Sequence, residues 1–408
     1  MYKYKRILVI SNNPFSTTQN NGKTLASFFE EVPSEYIAEL FFRNDSPSWN
    51  HCKRYFKISE QDLLNKGKCI SGNGTNNKSI RKGNLIRIGR ELIWKICKWK
   101  TKELINWLDD YNPEIIFFDA GDSGFAYDIC DFIVKRYSSK LFVYFTDDYI
   151  LPRICISPFW WIRRNHIYLQ MKKILSNESH MIAISDEMQK EYMKIFNKKS
   201  IKLINTTESM KENVEKSDED KIIFTYAGTF SFHRDETINL LIKAIKLNNS
   251  ISSNKKAYLQ IFSTASITAK MKSVFNVKGV SSFNGNLDSN ELKTVLNQSD
   301  VLVHVESFRR NSIASTRLSI STKIPEYLSV GKCIVAIGPA KIASMTYLSN
   351  CAICINDKKQ IYESITNVIN NCVIRNNVAE KALNKYDTNH NAKKIRNSFM
   401  GLLFEWNW

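Results

Sequence analysis

The sequence reads as an α/β protein made of two doubly wound halves of similar size, and three observations carry that reading. Short apolar runs end in polar loops and are followed by helical patterns, repeatedly along the chain. A polar, highly charged stretch, residues 206–220, lacks apolar periodicity and divides the series in two. The 408 residues also exceed what one core usually serves, which sets an expectation of two domains of roughly 200 residues each.

In the first half, residues 1–205, the run Lys5–Ser11 predicts a buried strand, Asn12–Gly22 a polar loop and Lys23–Glu31 a helix. Strand, loop, helix is the opening of a Rossmann-like unit, and Gly22 lets the backbone approach something closely. Pro113–Asp119 and Lys140–Thr146 predict further buried strands, separated by a helix over Phe125–Arg136. Both end in acidic clusters, Asp119 with Asp122 and Asp147 with Asp148, at the strand ends where α/β proteins hold ligands. Strand Met181–Ile184, helix Asp186–Phe196 and strand Ser200–Ile204 close this half.

The second half, residues 221–385, repeats the pattern. Ile222–Ala227 predicts a strand, Gly228 a turn, Glu236–Leu247 a helix, Tyr258–Phe262 a strand, Ser289–Gln298 a helix and Val301–Val305 a strand. The last segment, residues 386–408, is amphipathic and helical from Lys393 onward. It is long enough to pack on either half, and the expectation is that it packs back on the first.

Residues 321–336 put a lone carboxylate, Glu326, at the start of a helix that ends at Gly331 and feeds an apolar strand, Cys333–Ile337. Ser321 and Thr322, ahead of Pro325 in the first turn, are expected to supply capping oxygens. Lys323 and Glu326 thereby stand where open α/β sheets bind phosphate and sugar hydroxyls. A carboxylate accepting from two vicinal hydroxyls reads a ribose; the alternative is that Glu326 serves only its own helix dipole.

The net charge of +18 is spread evenly, with 32 basic and 22 acidic residues over 1–205 and 26 and 18 over 206–408. Such a surface favours anionic membranes, nucleic acid or phosphorylated substrates, unless it merely reflects a chain rich in Lys, Asn and Ile. Nine scattered cysteines fit reduced thiols. Cys351 and Cys354, the one close pair, have no second pair or neighbouring histidine to make a metal site. No uncharged apolar run of about 18 residues occurs, and the start enters a strand with no signal-peptide core, which reads as a cytoplasmic protein.

Residues 81–108 carry eight basic and two acidic side chains. On a helical wheel Leu85, Ile88, Leu92, Ile96 and Trp99 make one apolar face, opposite Arg87, Arg90 and Lys98 with Trp94 in their midst. Arg87, Arg90, Trp94, Lys95, Lys98 and Trp99 together predict docking at an anionic lipid headgroup boundary. The alternative is a helix packed on its sheet with a solvated basic face. Nucleic acid is not expected, because no reader motif accompanies the charge.

There is no phosphate-binding P-loop, no Gly-x-Gly-x-x-Gly after the first strand and no His-Glu-x-x-His, and no metal is expected. The six histidines do not cluster; His233 and His304 fall at strand ends of the second half.

In order along the chain, Gly228-Thr229-Phe230-x-x-x-Arg234, Gly285-Asn286-Leu287 with Glu291-Leu292 and Ser299-Asp300-Val301, and Lys323-Ile324-Pro325-Glu326-Tyr327-Leu328 with Gly331-Lys332 stand out. Together they resemble the donor domain of GT-B nucleotide-sugar glycosyltransferases, in particular family 4. Ile182-Ala183-Ile184-Ser185 with Met188, and Ile201 to Asn205, resemble stretches that precede the hinge in that family. The resemblance spans about residues 5–360.

The resemblance implies a role for each matched position. Glu326 matches the second glutamate of the family's E-x7-E motif and is implied on the donor ribose. Arg234 falls where the family usually has a lysine on the donor diphosphate, and a guanidinium can clamp phosphate oxygens two at a time. The first motif glutamate falls at Leu318, and the family's arginine beside the turn glycine Gly228 falls at Thr229. From sequence position alone, apart from the resemblance, Lys323 and Arg317 are nearby cations able to replace the missing charge, and Glu306, at a strand end, is a carboxylate for the sugar. Thr146-Asp147-Asp148 occupies the place of a His-Asp pair that faces the reacting sugar, with Asp147 facing the cleft and Asp148 as an anchor. Gly22 matches a glycine loop near the donor phosphates.

The implied fold is two Rossmann-like domains facing across a cleft. The implied activity is retaining, metal-independent transfer of a hexose from a UDP- or GDP-linked donor, without a cofactor, to a hydroxyl of a glycan or lipid-linked glycan. The implied setting is assembly of bacterial capsule, exopolysaccharide or O-antigen, by an enzyme peripheral to the inner face of the cell membrane. A nucleotide-sugar epimerase of the same architecture, and a catalytically silent partner suggested by Leu318 and Thr229, stay open as other readings.

Overall fold

The computed structural model describes residues 3–16, 20–47, 50–65, 83–176, 178–213, 221–251 and 255–404. Parts of four sequence expectations lie outside these residues: 17–19 of the first loop, Arg81 and Lys82 of the basic run, 214–220 of the linker, and the last four residues. The chain forms two compact units, one of residues 1–203 with 393–408 and one of residues 204–392.

The first unit is built on β1 (Ile7–Ser11), β2 (Ile37–Phe41), β3 (Arg54–Lys57), β4 (Ile115–Asp119), β5 (Lys140–Phe145), β6 (Ser179–Ala183) and β7 (Ser200–Lys202). All pairs are parallel, in the order β3-β2-β1-β4-β5-β6-β7. Its helices are α1 (Asn20–Phe29), α2 (Glu60–Asn65), α3 (Asn84–Ile96), α4 (Lys102–Tyr111), α5 (Gly124–Tyr137), α6 (Pro158–Ser176) and α7 (Asp186–Phe196). The central strands are buried on both faces, as a parallel sheet covered by helices requires.

The second unit repeats the design with β8 (Lys221–Ala227), β9 (Lys256–Phe262), β10 (Ser281–Phe283), β11 (Val301–Val305), β12 (Cys333–Ile337) and β13 (Ile353–Ile355). Its parallel sheet runs β10-β9-β8-β11-β12-β13, the six-strand order of a dinucleotide-binding fold. Its helices are α8 (Arg234–Ile251), α9 (Ala269–Phe275), α10 (Ser289–Gln298), α11 (Arg310–Thr316), α12 (Lys323–Val330), α13 (Ala343–Leu348), α14 (Ile361–Asn370) and α15 (Cys372–Asn389). Both units are therefore Rossmann-like.

A last helix, α16 (Ala392–Phe404), completes the first unit. Phe399, Met400, Leu402 and Leu403 enter its core, where the Phe399 ring lies 5.0 Å from Phe29 and 5.5 Å from Phe117, centroid to centroid. The two crossings between units are pinned to each other inside the second. Buried His390 sits 2.6 Å from the Asn205 carbonyl through Nδ1 and 2.8 Å from the Tyr347 hydroxyl through Nε2, and Thr207 N–H donates to the His390 carbonyl. Burial pushes the His390 imidazole down to about 4, so it stays neutral there.

Helix ends follow from local chemistry. Asp288 and Glu291 form a complete capping box on α10, and Ser185 caps α7 by accepting from Met188 N–H. Gly331 stops α12 at φ 71°, a left-handed conformation open to glycine. The cap expected at the other end of α12 is different: Thr322 makes no side-chain cap bond, and Ser321 approaches Lys323 N–H at 3.4 Å. The continuous helix suggested over 81–108 is broken after Ile96, because Thr101 caps a new helix by accepting from Leu104 N–H.

Of the six side chains expected on a docking face, Arg87, Arg90 and Trp94 turn inward. Trp94 is 1% exposed, stacked at 3.9 Å on Phe125, with its indole N–H donating to Glu60. Arg87 pairs with Asp122, and Arg90 pairs with Glu60 over the Phe125 ring. These side chains turn inward because Glu60 of α2, Asp122 in the loop before α5 and the Phe125 ring of α5 offer them partners. Lys95 and Lys98 remain exposed, and Trp99 is half-buried edge-on to Phe132.

Glu39, fully buried on β2, straps the loop after β1. Its carboxyl accepts from Phe15 N–H at 3.0 Å and lies 3.4 Å from the Ser11 hydroxyl. Burial pushes it up to about 8, against the pull of those donors. With an unfolded value near 4.5, its stabilising contribution is complete below that pH and is lost as pH rises through about 8. Between pH 5 and 8 this amounts to on the order of 4 kcal/mol. Glu39→Gln is expected to abolish that part of the pH dependence, so that urea midpoints of variant and wild type diverge at pH 8 and converge at pH 5.

Candidate functional site

In an open parallel sheet the strand order reverses at one point, and ligands settle outside the carboxyl ends there. In the second unit that point lies between β8 and β11. β8 ends on Ala227, Gly228 and Thr229 follow it, and Arg234 opens α8. β11 ends just before Glu306.

Arg234 and Glu306 form the centre of this edge. Arg234 Nη2 donates to both Glu306 oxygens at 3.0 and 3.1 Å, and Nε reaches one of them at 3.3 Å. The side chains are 16% and 2% exposed. His304 Nε2 lies 3.3 Å from Glu306 on the buried side, and Thr237 donates its hydroxyl to the Glu306 carbonyl. Burial alone would raise the Glu306 carboxyl, but the His304 contact and the Arg234 charge outweigh it and hold it below the usual range. Burial works against the Arg234 cation as well, and Glu306 overcomes it.

This changes the expected roles. Glu306 spends both oxygens on Arg234 rather than presenting them to a sugar. Arg234 in turn uses Nε and Nη2 inward, so its two-pronged edge is taken, and Nη1 makes no bond among the described residues. Gly338, at the end of β12, admits this packing: a Cβ there would lie 2.7 Å from that of Glu306.

The loop between β8 and α8 is strained. Phe232 and His233 adopt φ of 60° and 61°, left-handed conformations that cost a non-glycine residue about 1–3 kcal/mol each. His233 is steadied by Ser312 at 3.2 Å, and the Tyr226 hydroxyl donates to the Thr229 carbonyl. Gly228 packs on the Tyr226 ring, where a Cβ would lie 2.8 Å from the hydroxyl oxygen. Thr229 itself is exposed.

At α12, Lys323 Nζ donates to Glu326 at 2.8 Å, with Glu326 13% exposed. The Tyr327 hydroxyl accepts from Ala227 N–H and contacts its carbonyl, which fixes α12 against the end of β8. Leu318, where the first motif glutamate would fall, is buried in the core.

In the first unit, Asp148 is 1% exposed and its carboxylate accepts from Ile150 and Leu151 N–H, so it holds the turn after β5. Asp147 beside it is exposed, 3.5 Å from the Tyr149 hydroxyl. Gly22 lies within α1, not in a loop; a Cβ there would overlap the Pro14 carbonyl, so the glycine serves the packing of α1 on the loop after β1. Gly22, Asp147 and Asp148 thus belong to the first unit, and the other donor and catalytic candidates to the second.

His233, His304 and Tyr327 were visible in the sequence, but their contacts were not, and neither Gly338 nor the strain at Phe232 was. A histidine inside an apolar strand and a tyrosine on a helix face give no periodic signal of what they touch.

No protein-family model matches the sequence, and no curated protein does. Solved structures do. Anabaena HepE in complex with UDP superposes with a TM-score of 0.65 at 11% identity, over 98% of this chain and 99% of that one. OtsA gives 0.66 at 10%, over 98% and 99%, and both sheets are matched by these two-domain GT-B neighbours. The fold is GT-B. WaaG, a glycosyltransferase of lipopolysaccharide biosynthesis, gives 0.59 at 12% identity over 97% of this chain and 99% of that one. HepE is also known in complex with UDP and glucose and with UDP-glucose. In GT-B terms, the Arg234–Glu306 pair and the Lys323–Glu326 pair both belong to the second Rossmann-like domain.

Proposed function

We propose that the protein is a glycosyltransferase that moves a hexose from a nucleoside-diphosphate sugar to an acceptor hydroxyl, with retention and without a metal. The observation that carries this is the buried Arg234–Glu306 pair at the strand-order reversal of a GT-B second domain. Neighbours of that fold bind UDP and UDP-glucose, which supports the same donor class here.

In this reading Glu306 fixes the guanidinium so that Nη1 meets a diphosphate oxygen. The bond between the anomeric carbon and the phosphate oxygen breaks, the acceptor oxygen bonds to that carbon from the same face and its proton passes to the leaving diphosphate, on which negative charge develops. Arg234 and Lys323 stabilise it, a preorganised electrostatic task. Glu326 accepts from the ribose hydroxyls, and Gly228 and Thr229 line the phosphate side. Asp147 orients the acceptor hydroxyl while Asp148 holds its turn. WaaG acts in lipopolysaccharide biosynthesis, which favours a glycan or lipid-linked glycan acceptor in bacterial surface polysaccharide assembly, with the enzyme peripheral to the membrane.

A thermal-shift panel of UDP, GDP, CDP and their sugars tests this. One nucleoside diphosphate is expected to raise Tm in the wild type and not in Arg234→Ala. Absence of a shift with every nucleotide overturns the reading.

A further inference from the structure

The strained turn between β8 and α8 is anchored on both sides of Phe232. Before it, the Phe230 ring packs into the core of the second unit, 5.1 Å from Phe275 between ring centres, and the Thr229 carbonyl accepts from the Tyr226 hydroxyl. After it, His233 reaches the buried Ser312 of α11, and Arg234 is clamped by Glu306. Phe232 sits between these anchors at φ 60° and ψ 31°, and is 46% exposed.

That combination is unusual. A left-handed backbone is open to glycine and tolerated by asparagine, whereas in a phenylalanine it brings Cβ close to the next carbonyl oxygen. Burial of a large ring would offset the cost, but this ring faces water over nearly half its surface. One exposed ring is ordinary on any protein; strain and exposure at the same residue, beside the site, call for another benefit.

The neighbour that the ring keeps is Arg234. The guanidinium carbon lies over the Phe232 ring, 6.0 Å from its centre. This is the cation whose Nε and Nη2 turn to Glu306 and whose Nη1 makes no bond among the described residues. An apolar ring set against a cation displaces water from it. An ion pair formed with less water around it is stronger and is screened less by salt.

We propose that Phe232 is a positioning residue of the donor site: its left-handed backbone sets the ring beside Arg234, where it excludes water from the ion pair between that guanidinium and the donor diphosphate. Phe232 acts through Arg234 and not on a reacting atom. The inference rests on the reading of Arg234 as the diphosphate ligand, and it explains why the turn keeps a strained aromatic where a glycine would be relaxed.

Titration calorimetry of the full chain with UDP, GDP and CDP, beside thermal unfolding, tests this. Phe232→Gly is expected to unfold at or above the wild-type Tm, while the nucleoside diphosphate that wild type binds is held about tenfold more weakly. Its affinity is also expected to fall more steeply as salt rises from about 50 to about 500 mM. Phe232→Asn, which accepts the left-handed backbone, is expected to lose affinity alike, so that the looseness of a glycine is not the cause. Phe232→Tyr, which restores the ring face, is expected to rescue both affinity and salt dependence. Wild-type affinity in the glycine variant, with Tm lowered or not, overturns the proposal, since the ring is then structural. So does weaker binding with unchanged salt dependence, which makes the ring a direct contact of the nucleotide. Wild type that binds none of the three nucleotides overturns the reading of Arg234 and this inference with it, whereas binding that all the Phe232 variants retain overturns the inference alone.

Discussion

Arg234→Ala is expected to lower kcat/KM for the sugar donor of the proposed reaction by about 100- to 1,000-fold, the usual cost of removing one preorganised donor to a developing oxyanion. It also destabilises the second unit, because Glu306, with its side chain 2% exposed, loses the charge that pairs it. Breaking a buried pair from one side costs about 3–5 kcal/mol. The two effects are separable by pH. Glu306 is held below its ordinary range in the wild type, so its pairing stabilises above the unfolded carboxylate value and is lost as pH falls through the folded one. Without Arg234, His304 alone opposes burial and the carboxyl takes a proton more readily, so the stability deficit is expected to shrink toward pH 5 while the loss in kcat/KM persists. Chemical denaturation at pH 5 and 8, beside steady-state kinetics, reads both. An activity loss that vanishes when stability is restored would assign Arg234 a structural part only.

The second large effect belongs to Glu326. Glu326→Ala is expected to weaken nucleotide binding by about 10- to 100-fold, since hydrogen bonds to a charged acceptor contribute about 1.5–3 kcal/mol and each 1.4 kcal/mol is about tenfold. If Glu326 serves only the α12 dipole, the change costs under about 1 kcal/mol of stability and leaves binding intact. Lys323→Ala is the companion, because Lys323 holds Glu326 at 2.8 Å. Loss of binding in both variants, with kcat falling further in Lys323→Ala, assigns ribose to the carboxylate and phosphate to the lysine. Titration calorimetry with the nucleoside diphosphate picked out by the thermal-shift panel measures each.

Much of the architecture was legible because buried parallel strands are short unbroken apolar runs. Val301–Val305, Cys333–Ile337, Asp186–Phe196 and Ser289–Gln298 agree with the observed elements residue for residue. β2 escaped notice because Glu39 interrupts its apolar run, and its burial depends on the Phe15 N–H, 24 residues away. The α3 helix illustrates the deeper limit. Its amphipathic pattern is plain, but which face turns inward was decided by Phe125, Glu60 and Asp122 on other elements, and periodicity carries no information about partners. At the site, the motif positions were readable, while the Arg234–Glu306 pairing was not: it joins residues 72 apart that only the strand order brings together.

The return of α16 to the first unit has a consequence for biosynthesis. The Phe399 ring packs against Phe29 and Phe117, so that core stays incomplete until α16 has left the ribosome. The second unit, continuous from 204 to 392, is finished first, although it is encoded later. At about 5–20 residues per second, the N-terminal sheet waits on the order of ten seconds or more with the place of Phe399 beside Phe29 and Phe117 unfilled.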